Sequence, residues 1–245
     1  MSKERLQKIL SQAGFGSRRA MEEWIDKGLV RVNGAVAKLG DSAGPDDKIS
    51  LKDKLIRNPL DKHDAIRVLL YHKPIGEICS RSDPDHPQTV FDNIPSIKNG
   101  RWVMVGRLDI NTSGLLIFTN SGELANQLMH PKFSLEREYA VRVRGEVSNK
   151  IIKNLREGVQ LDDGKAQFQR IEFRGGEGTN SWYHVVLTEG KNREVRRLWE
   201  SQNIEVSRLI RIRYGKLELP RSLSRGQFME LPAKEVDAFV AVHLP

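Results

Sequence analysis

The chain has 245 residues, of which 38% are hydrophobic and 29% charged, as in an ordinary globular protein. Its 40 lysines and arginines exceed its 32 aspartates and glutamates, and the net charge of +8 favours a polyanionic partner. No apolar run approaches the ~20 residues of a membrane span, and the charged start is unlike a signal peptide. Cys79 is the single cysteine, which excludes an internal disulfide, so we expect a cytoplasmic protein.

The first fifty residues predict a small unit with the order αα-then-β. Apolar residues share one helical face over residues 4–13, and Gly14 and Gly16 end that helix. Ser17 is the predicted N-cap of a second helix, residues 18–27. Strands are expected at 29–32 and 48–51, with a hairpin turn at Asn33-Gly34 after the first of them.

Basic residues of this unit are candidates for gripping RNA phosphates, because several cluster at the start of the second helix, where free N–H groups favour anions. They are Lys8, Arg18, Arg19 and Arg31. For any one of them, a solvated helix surface is the simpler interpretation. Taken together, segments 6–10, 16–20 and 30–34 resemble an S4 RNA-binding domain. Residues 53–64 are polar and aperiodic and are interpreted as a linker, which divides the chain into 1–60 and 61–245.

The second part predicts an α+β fold with a mostly antiparallel sheet, because strands and helices follow no strict βαβ rhythm. Strands are expected at 67–72, 102–105, 115–118, 137–143 and 183–187, and helices at 122–129 and 148–157. Residues 83–87 are predicted to form a loop. The glycine-rich stretch 175–178 is predicted to be a hairpin tip.

Segment 106–120 carries the most informative pattern in the chain. It places Asp109 two residues after Arg107, in a polar run directly before an apolar strand. A carboxylate beside a rigid strand and a cation suits a group that must stay ionised in a pocket. By itself, however, the pattern favours an Asx turn leading into a core strand, since Asp, Asn, Ser and Gly are ordinary turn residues.

Several chemistries lack their motifs. The six histidines show no metal-ligand spacing, and no glycine-rich nucleotide-binding loop is present. We therefore expect neither a metal nor a cofactor. Cys79 is interpreted as a buried apolar residue, although it is the nucleophile that an RNA C5-methyltransferase would need. That alternative also requires a cofactor turn that the sequence lacks.

Segment 187–200 predicts a strand, a glycine turn and a basic helix start. Its candidate RNA-binding residues are Lys191, Arg193 and Arg197, with Arg196 on the same short stretch. A solvated basic face is an equally good interpretation of the charges alone. The nearby Trp182 and Trp199 favour phosphate and base contacts.

These motifs, in this order, resemble the RsuA/RluB/RluE/RluF family of pseudouridine synthases, which carry an N-terminal S4 domain. The resemblance runs from residue 2 to about 230 and rests on segments 73–76, 106–109, 112–116, 138–141 and 189–197. Segments 122–131, 192–200 and 206–215 are most similar to the branch that acts on large-subunit rRNA. The resemblance implies cofactor-free isomerisation of uridine to pseudouridine in that rRNA, by a protein expected to be a monomer.

The resemblance also implies roles for individual residues. Asp109 matches the catalytic carboxylate, which either attacks C1′ or removes the C2′ proton. Arg107 and Arg196 match positions that keep it ionised, since a flanking arginine lowers a carboxylate pKa by ~1–3 units; Arg107 alternatively holds an RNA phosphate. Tyr139 matches the residue that stacks on the flipped uracil. Lys73 is placed at the pocket floor and counted among the RNA-binding residues.

Two other functions stay open from the sequence. One is a pseudouridine synthase acting on small-subunit rRNA, because substrate choice lies in surface contacts that motifs do not record. The other is a non-catalytic rRNA-binding assembly factor, which would have no need for Asp109, Tyr139 and Arg196 together.

Overall fold

A computed structural model describes residues 3–60, 65–81, 83, 85, 88–98 and 100–244. The predicted loop at 83–87 and the end of the predicted linker, residues 61–64, fall largely outside these ranges. The S4 unit is the name used below for residues 3–60, and the catalytic unit is the name for the described residues from 65 to 244.

The S4 unit has the predicted two helices followed by strands, but a short strand that the sequence assigned to the first helix precedes them. Its helices are α1 (Leu6–Gln12) and α2 (Arg18–Asp26), and its strands are β1 (Glu4–Arg5), β2 (Val30–Val32), β3 (Ala35–Val36), β4 (Ser42–Ala43), β5 (Ile49–Leu51) and β6 (Lys54–Leu55). The predicted N-cap is confirmed, because the Ser17 hydroxyl accepts the Ala20 N–H at 3.1 Å. Asn33 and Gly34 both have positive φ, as a type I′ hairpin turn requires.

The predicted linker is more ordered than its composition indicated. Strand β6 lies within it and pairs with β5. The Asn58 amide is buried and donates to the carbonyls of Gly44 and Asp47 at 2.9 and 3.1 Å. Residues 53–60 therefore pack onto residues 3–52, and the buried amide of Asn58 satisfies backbone acceptors there. A polar, aperiodic sequence pattern does not reveal such a contact.

The catalytic unit is built on one large sheet, with α+β architecture and mostly antiparallel pairing as predicted. Its strands are β7 (Val68–Lys73), β8 (Val103–Val105), β9 (Ser113–Thr119), β10 (Arg137–Arg144), β11 (Val159–Leu161), β12 (Gly164–Ala166), β13 (Arg170–Glu177), β14 (Asn180–Leu187), β15 (Glu205–Tyr214), β16 (Leu217–Glu218) and β17 (Phe228–Glu230). The sheet order is β13-β14-β10-β15-β9-β7-β17, with β8 on β9 and β16 on β15, while β11 and β12 form a separate hairpin. Within the described residues of this sheet, the parallel pairing is that of β15 with β9.

Helices cover both faces of this sheet. They are α3 (Gly122–Met129), α4 (Asn149–Glu157), α5 (Glu194–Glu200) and α6 (Ala233–His243). One apolar cluster joins α4 and α5 to one face through Leu155, Leu198 and Trp199. A second cluster joins α3 and α6 to the other face through Leu124 and Phe239. All seven residues of β9 are buried, since this strand lies between β15 and β7 in the sheet and both of its faces are covered.

Most predicted elements agree with the structure to within two residues, and the differences have local causes. The predicted glycine hairpin tip is displaced: Gly175 and Gly176 lie inside β13 at a register shift, and the chain turns at Gly178 and Thr179. Strand β15 was not assigned from the sequence, because its exposed and buried positions do not alternate regularly around its two register shifts.

Candidate active site

The loop that carries Asp109 is fixed by a buried lysine. Lys73 ends β7 and is 0% exposed. Its ammonium donates to the carbonyls of Thr112, Pro74 and Asp109 at 2.9, 3.0 and 3.1 Å, with that of Ile110 at 3.5 Å. Burial lowers the pKa of Lys73, which is the expected cost of placing a cation away from water. Four carbonyls therefore converge on one cation and hold the loop in a single conformation.

The same loop is held from the other side by Arg196. This residue lies on α5 and is 6% exposed. Its guanidinium donates to the carbonyls of Asn111 and Val206, both at 3.0 Å. Burial and the nearby charge of Arg193 lower the pKa of Arg196, and the Asp109 carboxylate opposes this shift. Arg196 thus connects α5, the start of β15 and the Asp109 loop, and its described bonds end on backbone carbonyls.

A glycine sets how closely the Asp109 loop approaches β15. Gly114 has φ of +110°, and a Cβ there would lie 2.3 Å from the Arg211 carbonyl oxygen. No side chain fits this gap, so the residue after Ser113 must be glycine for β9 and β15 to pair. The Thr112-Ser113-Gly114 part of the motif therefore has a packing role.

Tyr139 and Arg211 lie opposite each other on adjacent strands. They are register partners on β10 and β15, are 9% and 2% exposed, and both line the cleft that contains Asp109. Arg211 donates from Nε to the Leu115 carbonyl at 2.8 Å. Its Nη2 is buried and has no acceptor among the described residues. Adjacent strands therefore bring an aromatic residue and a buried cation to the cleft that contains Asp109.

The cleft has a volume of about 690 Å³, within the range of small-ligand pockets. Arg107 is exposed and lies at its rim, and the turn 189–193 forms the far side. Arg137 holds that turn by donating to the carbonyls of Thr188 and Glu189, both at 2.9 Å. Arg137 and Arg211 were missed as site residues from the sequence. The sequence did offer one signal for them. Each is an arginine on a strand, β10 or β15, at a position on the same side as buried residues.

Cys79 also lines the cleft, but its environment does not suit a nucleophile. Its sulfur accepts the Leu108 N–H at 3.3 Å. Burial raises the pKa of the thiol, although nearby cations oppose this. A raised pKa keeps the group protonated near neutral pH, whereas attack on a pyrimidine requires the thiolate. The structure thus disfavours the methyltransferase interpretation.

Two sequence interpretations of this region need correction. Lys73 was counted among the RNA-binding residues, yet its ammonium is fully enclosed by carbonyls and has no exposed surface. Trp199 was expected to help contact RNA, yet it is 0% exposed and packs on Phe168 and Tyr183. The sequence identified both as basic or aromatic residues but did not show which way their side chains point.

The other predicted RNA-binding residues differ in whether an acidic side chain already forms an ion pair with them. Arg18 and Arg19 are exposed, and no ion pair with a described residue engages them. Arg193 is exposed at the start of α5, with Glu200 at 4.0 Å. The remaining four already have partners: Lys8 pairs with Glu4, Arg31 with Asp53, Lys191 with Glu189 and Arg197 with Asp163.

Neither a metal site nor a membrane-spanning helix is found among the described residues. They contain no group of three or more His, Cys, Asp or Glu side chains placed to hold a metal ion. None of their helices combines the length and the apolar character needed to cross a membrane.

Comparison with known families gives two matches that together span most of the chain. The model of the family described as RNA pseudouridylate synthase matches residues 67–201, and the S4 domain model matches residues 4–49. The second match agrees with the fold of the S4 unit. The first contains Lys73, Asp109, Tyr139 and Arg196.

Several individual proteins that resemble this chain share one name. The chain is 55% identical to "Ribosomal large subunit pseudouridine synthase B" of Yersinia pestis, over 94% of this chain and 73% of that protein. It is 53% identical to the protein of the same name from Pseudomonas aeruginosa (96% and 61%) and 54% identical to that of Escherichia coli K12 (93% and 79%). A solved pseudouridylate synthase shares the fold, with a TM-score of 0.65 and 24% identity over 95% of this chain and 98% of that one.

Proposed function

Because the chain belongs to the RNA pseudouridylate synthase family, we propose that it isomerises uridine to pseudouridine in large-subunit rRNA. The named relatives and the S4 domain support this substrate, and the basic surface suits it. An rRNA substrate also implies action in the cytoplasm. We retain the proposed division into an S4 RNA-binding domain at 1–60 and a catalytic domain at 61–245.

One observation carries the proposal: a half-buried carboxylate and an aromatic ring line the same cleft, and the carboxylate lies on a loop fixed by two buried cations. Asp109 and Tyr139 both line the cleft, and the loop is fixed by Lys73 and Arg196. Preorganisation of this kind is what a reaction without a cofactor needs, since the protein must supply the geometry itself.

The reaction breaks the bond from C1′ to N1, rotates the uracil and joins C5 to C1′, while the proton from C5 is replaced by one at N1. The uridine must first leave its stack, at a cost of a few kcal/mol. Tyr139 offers a ring on which the flipped base can stack, which is worth about 1–3 kcal/mol per base. Stacking on Tyr139 therefore offsets much of the free energy that is needed to flip the base.

Asp109 acts on the ribose in the proposed mechanism, either by attacking C1′ or by removing the C2′ proton. Both roles require the ionised carboxylate. The surrounding cations serve different purposes. Arg107 is exposed at the rim and is placed to hold a phosphate of the flipped nucleotide. Arg196 positions the loop through its carbonyl bonds and adds positive charge beneath it.

Arg211 gives the uracil side of the cleft a positive charge. When the glycosidic bond breaks, the departing uracil carries the electron pair and is stabilised by a nearby cation. Arg211 is the register partner of Tyr139, on which the base is proposed to stack, and both residues line the cleft.

The test compares Asp109→Asn with wild-type protein on separate transcripts of the two large rRNAs. Pseudouridine is mapped by primer extension after carbodiimide treatment. We expect one or more stops on the large-subunit transcript with the wild type and none with the variant. Asp237→Asn, the same change on the exposed surface of α6, should retain full activity.

Other outcomes separate the alternatives. Stops confined to the small-subunit transcript would reassign the substrate within the same chemistry. Product from Asp109→Asn would refute the role of the carboxylate. If the wild type binds both transcripts and an assembling large-subunit particle but modifies none of them, the chain is a binding protein that retains the fold.

A further inference from the structure

The S4 unit and the catalytic unit touch at a place that we call the seam, where residues 13–18 meet residues 100 and 101. A Cβ on Gly14 would lie 2.8 Å from the Gly100 carbonyl oxygen, so the two backbones are in close contact. Arg101 crosses the seam and donates from Nη1 to the Gly16 carbonyl at 2.9 Å. The contact thus includes backbone from both units and the charged side chain of Arg101.

Two further arginines lie at the seam. Arg18 begins α2, two residues after Gly16, and its side chain is exposed. Arg81 donates from Nη2 to the Trp102 carbonyl at 2.6 Å and lies 4.2 Å from the centre of the Phe91 ring. Since Trp102 follows Arg101 directly, the bonds of Arg81 and Arg101 bring two guanidinium groups of the catalytic unit to the seam, next to the start of α2, where Arg18 lies.

The three charges have no described counter-ion. No carboxylate of a described residue forms an ion pair with Arg18, Arg81 or Arg101, and the buried Nε of Arg101 has no acceptor among those residues. Burial, then repulsion by Arg81 and Arg18, lowers the pKa of Arg101. Like charges held together without an anion disfavour the contact between the units, and a bound anion would reverse that effect.

We propose that the seam binds one phosphodiester group of the substrate RNA, shared between Arg18 of the S4 unit and Arg81 and Arg101 of the catalytic unit. The proposal rests on the proposed function, which supplies RNA as the anion. Arginine suits this task, because its planar set of donors matches phosphate oxygens. Bound RNA would then join the two units and set the distance between the S4 contact and Asp109.

Arg18 and Arg81 are the residues to change, because Arg101 also holds the Gly16 carbonyl and its loss would disturb the contact itself. The affinity of the full-length protein for the large-subunit transcript is measured from 50 to 200 mM salt. Neutralising one phosphate contributes a slope of about 0.7–0.9 to the dependence of log Kd on log salt. Arg81→Gln should reduce the slope by up to this amount. Between 50 and 200 mM salt, the Kd of the variant should therefore rise by a factor up to about threefold smaller than the Kd of the wild type.

A double-variant cycle tests whether the phosphate is shared. If Arg18 and Arg81 hold the same group, the slope lost by the double glutamine variant is smaller than the sum of the two single losses. The matched control is Arg144→Gln. Arg144 is the last residue of β10, and the strand begins at Arg137, roughly 20 Å away. The substitution removes an exposed arginine away from the seam and should leave the slope and the activity unchanged.

The proposal of a shared phosphate site would be refuted if Arg81→Gln had the salt slope of the wild type. It would also be refuted if the slope lost by the double variant equalled the sum of the slopes lost by the two single variants. Both results are independent of catalysis, because they measure binding alone. Failure of the wild type to form pseudouridine would count against the proposed function and would leave this measurement valid.

Discussion

Replacing Lys73 with methionine tests the idea that one buried ammonium organises the active-site loop. Methionine has a similar length and fills the same space, but it cannot donate to the carbonyls of Pro74, Asp109 and Thr112. The substitution therefore removes three hydrogen bonds of 2.9–3.1 Å while it leaves the apolar packing of β7 largely intact.

The expected loss of stability follows from these bonds. A buried acceptor without a donor costs about 1–3 kcal/mol. Water can replace part of the interaction at the half-exposed Asp109 end of the loop, and removal of the ammonium also removes its own desolvation cost. We therefore expect the free energy of unfolding to fall by about 2–4 kcal/mol, which for a chain of this size lowers Tm by roughly 4–16 °C.

The effect on activity should exceed the effect on stability. A displacement of about 1 Å at a reacting group can cost ~10²-fold in rate. Assayed well below its Tm, Lys73→Met should therefore show a fall in kcat of about that size, while RNA affinity stays close to that of the wild type. Lys150→Met, on the exposed surface of α4, removes the same charge and should change neither quantity. If Lys73→Met kept both the Tm and the kcat of the wild type, the loop would not depend on the ammonium.

Two further predictions concern the walls of the cleft and the acid stability of the sheet. Tyr139→Phe should retain most of its kcat/KM because the ring remains, whereas Tyr139→Leu should lose about 1–3 kcal/mol of stacking, or roughly 5–150-fold; equal losses in the two variants would exclude stacking as the role of this residue. Burial by itself would raise the pKa of Glu138, but the hydrogen bond from Arg213 and the nearby charges of Arg170 and His184 outweigh it, so its pKa is lowered. Glu138 therefore contributes stability that is present above its unfolded pKa of about 4.3 and is lost as the pH falls through the lower folded value. Glu138→Gln should flatten the dependence of Tm on pH below about pH 4, and an acid limb identical to that of the wild type would contradict this assignment.

The sequence by itself determined many of the helices and strands, and their order along the chain. Helix α2 with its Ser17 cap, the Asn33-Gly34 hairpin and the buried strand β9 were all predictable, because each depends on residues that are close together in the chain. The motif around Asp109 could also be found this way, since a polar turn before an apolar strand is a local pattern.

Only the tertiary structure decided what the charged residues do. Lys73 and Arg196 lie in motifs of the same family resemblance as the Asp109 motif, but their side chains donate to backbone carbonyls from other parts of the chain. Arg211 lies in the site because β15 pairs with β10 and β9, and no local sequence pattern predicts that pairing. In the same way, Arg18, Arg81 and Arg101 are far apart in sequence and meet only at the seam. The direction of a long cationic side chain depends on which acceptors surround it, and those acceptors come from segments that no local pattern connects.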